Sequence, residues 1–364
     1  MDSDTSTIGL MADPGLPMRI AKKISGDLAD KLSAGTPNQW DVEVTTERLP
    51  MDSEGDIPIF RHAPRLREAY NWDYLVYLTD LPLISDHEIL LCKANTESQT
   101  AMVSLPSVGA TRAAKRVQAI VVSLITAART NFENESPEHR MQDVMGRGVT
   151  FRQRESEDTS VRIYLSGLRH RFGLLTGTIK SNRPAQLLAA LTNSIALGAA
   201  TGAFGIFYGS IWELAEALSS LRLFFISFAV GTLMGFWLIL KNSLWVHPRD
   251  TGARWQSRME NIATIATIGI GVVLLYIVLY SVLFLLSLTV IDGGYLANEL
   301  GHPVGLSDYF GLSWLSSSLG MLAGALGSNF NDPDSIREAT YSKRVYQRRK
   351  LADEFERAED SDNE

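Results

Sequence analysis

Cysteine is almost missing from this chain: Cys92 is the one cysteine among 364 residues. A single thiol excludes an internal disulfide framework and any multi-cysteine metal site. It lies in the apolar run Ile89-Leu90-Leu91-Cys92, which reads as a buried strand and not as a nucleophile's setting. Runs of basic residues are missing too. Residues 1–184 hold 22 Lys and Arg against 24 Asp and Glu, and a near-neutral half without a basic cluster argues against nucleic-acid binding. The six histidines, at positions 62, 87, 139, 170, 247 and 302, show no H-x-x-x-H spacing, so no metal and no cofactor is expected. The start, Met1-Asp2-Ser3-Asp4, is acidic where a signal peptide is basic, and no apolar core follows it. The amino-terminal half is therefore expected in the cytoplasm.

The most informative absence is charge in the second half. Gln186–Gly209, Leu223–Leu240, Ile262–Ile291 and Tyr309–Gly327 contain no Asp, Glu, Lys, Arg or His. A bilayer core of about 30 Å takes about 20 apolar residues in a helix. Four transmembrane helices are expected, and their uncharged interiors argue against an ion-coupled pump. The flanking charges are sorted. Arg169, Arg171, Lys180 and Arg183 precede the first stretch, whereas the first connection carries Glu213 and Glu216. The second connection has Lys241, Arg249, Arg254 and Arg258; the third has Asp292, Glu299 and Asp308 without a Lys or Arg. A basic tail follows. This alternation predicts a cytoplasmic amino terminus and carboxyl terminus in the plasma membrane. Trp212, Trp237 and Trp245 sit near the ends of stretches one and two, where amphipathic rings favour the headgroup level.

What the apolar stretches do contain is glycine at one spacing: Gly198-x-x-x-Gly202, Gly231-x-x-x-Gly235 and Gly320-x-x-x-Gly324, with Gly205, Gly209 and Gly327 extending two of the faces. Such faces let neighbouring backbones approach, within a tight bundle or a homo-oligomer. Asn193 is the most polar side chain in the first stretch. It reads either as a pore-lining position or as an interhelical hydrogen bond.

Ahead of the membrane, helix and strand patterns alternate. Ile20, Ile24, Leu28 and Leu32 give an amphipathic helix over Pro17–Leu32, and Trp40–Thr46 alternates as a half-buried strand. Arg61–Tyr70 and Thr111–Thr130 read as helices; Tyr74–Leu78, Ile89–Cys92 and Ala101–Leu105 read as strands. Thr150–Thr178 is basic and apolar, with a turn at Glu155–Thr159 between two extended segments. Phe172–Ile179 is expected against the inner leaflet. The expected fold is an α+β or α/β cytoplasmic domain, a small sheet covered by helices, followed by a four-helix transmembrane bundle. Its divisions are a disordered start (1–13), the domain (14–131), a polar linker and membrane-proximal segment (132–184), the bundle (185–327) and a charged helical tail (328–364).

Four residues are candidate ligand contacts. Thr79 and Asp80 close a predicted strand, the edge at which open α/β sheets place ligands, although Asp80-Leu81-Pro82 also reads as a plain turn. Ser104 ends another strand without the G-x-S-x-G of a nucleophile elbow. Gly109 precedes a helix and could help to cradle an anion, although one glycine makes no phosphate loop. Asn298–Asp308 imitates a zinc-peptidase motif, but Asn298 stands at the first ligand and Pro303 would interrupt the required helix.

Tyr77–Leu83 and Val103–Gly109, with Ser181-Asn182-Arg183-Pro184, Leu244-Trp245 and Asn261–Thr264, resemble a pattern in a family of bacterial, mainly actinobacterial, multi-span membrane proteins. That resemblance implies architecture, and the family carries no assigned reaction. The strand layout is also distantly similar to archaemetzincin-type domains. Their metal-binding helix would fall on Thr111–Thr130, which has no histidine, so no peptidase activity is implied. The leading expectation is a membrane-anchored cytoplasmic binding or regulatory module. Its partners would be the lipid bilayer and either a cytoplasmic protein or further copies of itself. A small-solute or lipid transporter subunit is the alternative, and a membrane-tethered hydrolase using Ser104 or Asp80 comes third.

Overall fold

The computed structural model describes residues 5–35, 39–52, 56–85, 88–129, 137–154, 160–182, 184–246, 254–331 and 336. They divide into two compact units, one built mainly from residues up to Ser181 and the other mainly from Asn182 onward. Each is taken by itself.

The first unit begins as alternating strand and helix: β1 (Thr5–Ala12), α1 (Leu16–Gly35), β2 (Gln39–Thr46), α2 (Ile59–Tyr70) and β3 (Tyr74–Thr79). Then come β4 (Leu83–Ser85), β5 (Glu88–Asn95), β6 (Thr100–Ser104), α3 (Leu105–Val108) and α4 (Ala113–Arg129). α5 (Pro137–Met145), β7 (Val149–Arg154), β8 (Ser160–Leu165) and α6 (Leu168–Asn182) complete it. The strand order is β2-β1-β3-β6-β5-β8-β7, with β4 paired to the start of β5. The first four strands run parallel and the last three antiparallel.

Helices cover both faces, so the central strands read as continuous apolar runs. Ile8, Leu10 and Ala12 of β1 pack with Ile20, Ile24, Leu28 and Leu32 of α1 and with Val117, Ile120 and Val121 of α4. On the opposite face, Gly9 leaves room for the Trp72 indole, which a Cβ there would overlap. Trp72 in turn donates to Glu43 Oε2 at 2.7 Å.

Two expected divisions are corrected. The disordered start expected over 1–13 does not hold for Thr5–Ala12, a central strand paired on one side to β2 and on the other to β3; residues 1–4 lie outside the described residues. Its apolar segment is only Ile8–Ala12, and the polar Thr5-Ser6-Thr7 before it hides the pattern. Nor does the domain end at residue 131. The hairpin β7–β8 joins the sheet through β8 and β5, with Val161, Ile163 and Leu165 buried in the same core. The two extended segments expected around Glu155–Thr159 are therefore sheet, not linker; residues 155–159 themselves lie outside the described residues.

The second unit is helical: α7 (Gln186–Ala190), α8 (Thr192–Phe207), α9 (Gly209–Ala217), α10 (Ser220–Lys241), α11 (Arg254–Val290, which starts in the first unit), α12 (Gly293–Leu300) and α13 (Leu306–Gly327). Among the described residues three helices are long and apolar enough to cross a membrane: Ser220–Lys241, Ser257–Val290 and Leu306–Gly327. The pair α8 and α9, bent by 88° at Tyr208, makes a fourth if it is one span. The charged tail expected from Asp332 onward lies outside the described residues, apart from Ile336.

Two of the three glycine faces meet each other. A Cβ on Gly198 would come within 3.0 Å of the Gly320 carbonyl, one on Gly324 within 2.8 Å of the Ser194 carbonyl, and one on Gly320 would fall on the Gly198 carbonyl. Backbone thus touches backbone along α8 and α13. The third face differs, because Gly231 and Gly235 face Val272 and Ile268 at an ordinary 3.7 Å. Hydroxyls tie the remaining helices. Trp314 Nε1 donates to Ser227 Oγ at 2.7 Å, the Tyr276 hydroxyl donates to the Trp314 carbonyl at 3.1 Å, and Ser318 Oγ lies 2.9 Å from that hydroxyl. In lipid, where chain polar groups find no water, such bonds add to packing as helix glue. Gly320→Ala should therefore lower bundle stability by about 1–3 kcal/mol through overpacking. Gly231→Ala should be neutral or stabilising by up to about 1 kcal/mol through helix propensity. Unfolding of the purified protein in detergent would check the contrast, and equal losses would refute it.

Candidate functional site

β1 connects through α1 to β2 on one side, whereas β3 leads on to β6 on the other. The point between β1 and β3 is thus the place where strand order reverses, and ligands in open α/β sheets gather outside the carboxyl ends of such strands. The structure brings Thr79, Asp80 and Ser104 together at this edge: Thr79 and Ser104 are register partners, and all three side chains are buried.

The centre of the edge is a residue that sequence reasoning passed over. Asp13 is 1% exposed. Its Oδ1 accepts from the Tyr77 hydroxyl at 2.6 Å, and its Oδ2 accepts from Thr79 Oγ1 at 2.8 Å and from the Asp80 N–H at 2.9 Å. Its backbone N–H donates to the Leu78 carbonyl, and its carbonyl accepts from the Met18 N–H. One residue fixes the ends of two strands and the start of α1. The available signal was Asp13-Pro14-Gly15 directly after an apolar run, a turn signature that is easily set aside as such.

Ser104 belongs to the same framework. Its Oγ donates to the Leu81 carbonyl at 2.8 Å and lies 3.0 Å from Ser107 Oγ, whose own proton points at the Leu90 carbonyl. A nucleophile needs a base within hydrogen-bond reach; the Ser104 proton is committed to a main-chain oxygen instead. Gly109 has φ +89°, a conformation that favours glycine, and its N–H donates to the Pro106 carbonyl. The carbonyls around it meet cations: Arg116 reaches Val108 and Lys180 Nζ reaches Ala110 at 2.6 Å. Burial pushes the Cys92 thiol far up its scale, which keeps it neutral.

The open feature lies beside this edge. α1 follows β1, α4 follows β6 and the short α3, and between α1 and α4 runs a groove of about 900 Å³. Leu16, Ile20 and Ile24 line its apolar side. Arg19, Lys23, Asp27 and Lys31, four residues apart, form a stripe down α1; Arg112 and Lys115 come from the start of α4, and Lys180 from α6. Six of the seven charged side chains are basic, in a chain whose formal net charge is −7. At the floor Gln118 is 5% exposed and accepts from Lys31 Nζ at 2.7 Å, while its Nε2 has no hydrogen-bond partner. The signal in the sequence was the stripe one residue before Ile20, Ile24, Leu28 and Leu32.

The remaining candidates lie elsewhere. Asn193 is the second residue of α8, exposed, and so not placed to line a bundle interior; its backbone N–H donates to Asn331 Oδ1 at 3.1 Å. The zinc-motif imitation is broken up, because Gly301 ends α12 in the left-handed conformation and His302 Nε2 pairs with Glu216 Oε1 at 2.8 Å. Among the described residues no three His, Cys, Asp or Glu side chains gather as a metal site would require. No family model, curated protein or solved structure matches the chain.

Two outcomes follow from these contacts. Asp13→Ala would remove the acceptor of three buried hydrogen bonds and should cost about 3 kcal/mol or more, against about 1.5 kcal/mol for Tyr77→Phe. Denaturant unfolding of the full chain, followed by tryptophan fluorescence, would check the order. His302 is held above its ordinary value by the Pro303 carbonyl and by Glu216. A raised folded value means that the pair is fully present at pH below the unfolded value and is lost as pH rises through the folded one. Glu216→Gln should lower the His302 midpoint in an NMR titration, and an unmoved midpoint would show that the pair is not formed.

Proposed function

We propose that this chain is a membrane-anchored cytoplasmic binding or regulatory module, with the groove between α1 and α4 as its ligand site. The groove itself carries the reading. Its volume falls within the roughly 300–1,000 Å³ of small-molecule sites, and it combines an apolar side with convergent polar groups. The strand-end cluster of Asp13, Tyr77, Thr79, Asp80 and Ser104 then serves as its rigid support.

The uncharged helices anchor the module in the plasma membrane. The sorting of loop charges favours cytoplasmic termini, with Glu213, Glu216, Asp292 and Asp308 outside. Leu168 and Phe172 on α6 are 81% and 69% exposed and are flanked by Arg169 and Arg171, as suits a segment resting on anionic headgroups. The transporter reading draws on the break at Tyr208, since discontinuous helices often hold substrates. Against it stand the backbone-to-backbone packing of α8 on α13, which leaves little room there, and the surface position of Asn193.

The test is a thermal-shift screen of the full protein in nanodiscs against a metabolite library. A groove ligand at a hundred times its Kd adds about 2.7 kcal/mol, or about 5–10 °C. That shift should vanish in Lys23→Glu/Lys115→Glu. Substrate flux in reconstituted vesicles, with no compound shifting the melting temperature, would replace this reading with transport.

A further inference from the structure

We infer that the α1/α4 groove recognises a phosphate-bearing ligand; this rests on the groove being the module's ligand site. Four independent features converge on an anion.

Helix starts come first. The amino-terminal ends of helices carry partial positive charge, so acids are favoured there. Neither α1 nor α4 has an acid in its first turn. Arg19 closes the first turn of α1, and Lys115 lies in the first turn of α4, with Arg112 just before it. The starts of α1 and α4 and these three cations therefore line the same groove, and helix starts favour bound phosphate.

The stripe on α1 is the second feature. Arg19 and Lys23 are like charges one turn apart, which is unfavourable in an isolated helix. With Lys31, Arg112, Lys115 and Lys180 around the same space, each cation raises the potential at the others, and a bound anion removes that repulsion. Third, Lys23 and Lys115 are exposed and neither carries a described ion pair, so both are available to a ligand. Fourth, the Gln118 Nε2 donor is buried without an acceptor, an unfavourable state that a ligand oxygen would relieve. A phosphate oxygen drawing Lys31 toward it frees the Gln118 amide to turn and donate.

A carboxylate would need fewer donors than the groove offers. A phosphomonoester or diphosphate spreads about two charges or more over several acceptor oxygens, which matches cations arriving from α1, α4 and α6. The apolar side formed by Leu16, Ile20 and Ile24 suits an organic remainder, either the base and sugar of a nucleotide or the glycerol and acyl portion of a lipid.

The test uses the full protein in phosphatidylcholine nanodiscs. In one arm, pyrophosphate and ATP are titrated by calorimetry; in the other, nanodiscs contain phosphatidic acid and retained lipid is counted by native mass spectrometry. Saturable binding in the first arm identifies a soluble phosphate, and selective retention in the second identifies a lipid headgroup. Whichever arm responds, Lys23→Gln/Lys115→Gln should weaken binding at least tenfold, while Lys22→Gln, outside the groove, should leave it unchanged. Gln118→Glu sets a carboxylate at the floor and should weaken it at least as much. Melting temperatures show that each variant is folded; should Gln118→Glu fail to fold, the exposed lysine pair carries the test. Silence in both arms, or wild-type affinity in the double variant, would overturn the assignment. A phosphate-free compound that stabilises the wild type and is lost in the double variant would overturn it too, while leaving the binding module standing.

Discussion

A carboxyl group buried at the end of β1 sets the terms for the whole sheet of the first unit. Adjacent parallel strands end together at this edge, so their last polar groups are stranded away from water. Asp13 answers that problem at one point. Its two oxygens take the Tyr77 hydroxyl, the Thr79 hydroxyl and the Asp80 N–H, while its own backbone extends the ladder to Leu78 and opens α1 at Met18. Ser104 and Ser107 do the same one strand further on, capping the Leu81 and Leu90 carbonyls. The cost is location. With the carboxyl edge filled by its own side chains, the open space lies outward, in the groove between α1 and α4.

The second unit, whose helices are long and apolar enough to cross a membrane, obeys a different constraint. Association there gains little from burying apolar side chains, because lipid is as apolar as they are. What remains is contact and hydrogen bonding. α8 and α13 use contact: at Gly198, Gly202, Gly320 and Gly324 the missing Cβ lets the carbonyl-lined backbones approach. α10, α11 and α13 use hydroxyls, through Ser227, Tyr276, Trp314 and Ser318. Gly231 and Gly235, at the same spacing, make no close approach, since their neighbours Val272 and Ile268 come from side chains and not from a second glycine face.

Periodicity made much of this legible. Ile20, Ile24, Leu28 and Leu32 located α1, short apolar runs located β3, β5 and β6, and uncharged length located the candidate spans. What failed to show had physical reasons. β1 is only five apolar residues long, and a central strand is recognised by two partners that sequence does not name. β7 and β8 were visible as extended segments, but pattern alone does not say which edge they pair with. The bend at Tyr208 is invisible because the first apolar stretch runs through it without a proline or a charge. Thr79, Asp80 and Ser104 do lie together at one sheet edge, yet Thr79 and Asp80 are held by Asp13, 66 and 67 residues away in sequence.

The groove was hidden for a further reason, and that reason also says why it is informative. Counted along residues 1–184 the charges nearly cancel, so no basic cluster exists in one dimension. Folding assembles one by setting a stripe from α1 against the first turn of α4 and the end of α6. Surface charges placed only for solubility have no reason to converge on one cavity, because mixing signs lowers their mutual energy. Asp27 is the one acid in that lining, although acids outnumber bases in the chain as a whole. Selection for stability alone would have put acids at the starts of α1 and α4. Basic residues at both starts, around an apolar-sided cavity with an unanswered amide at its floor, fit a surface completed by an anion that the chain does not supply itself.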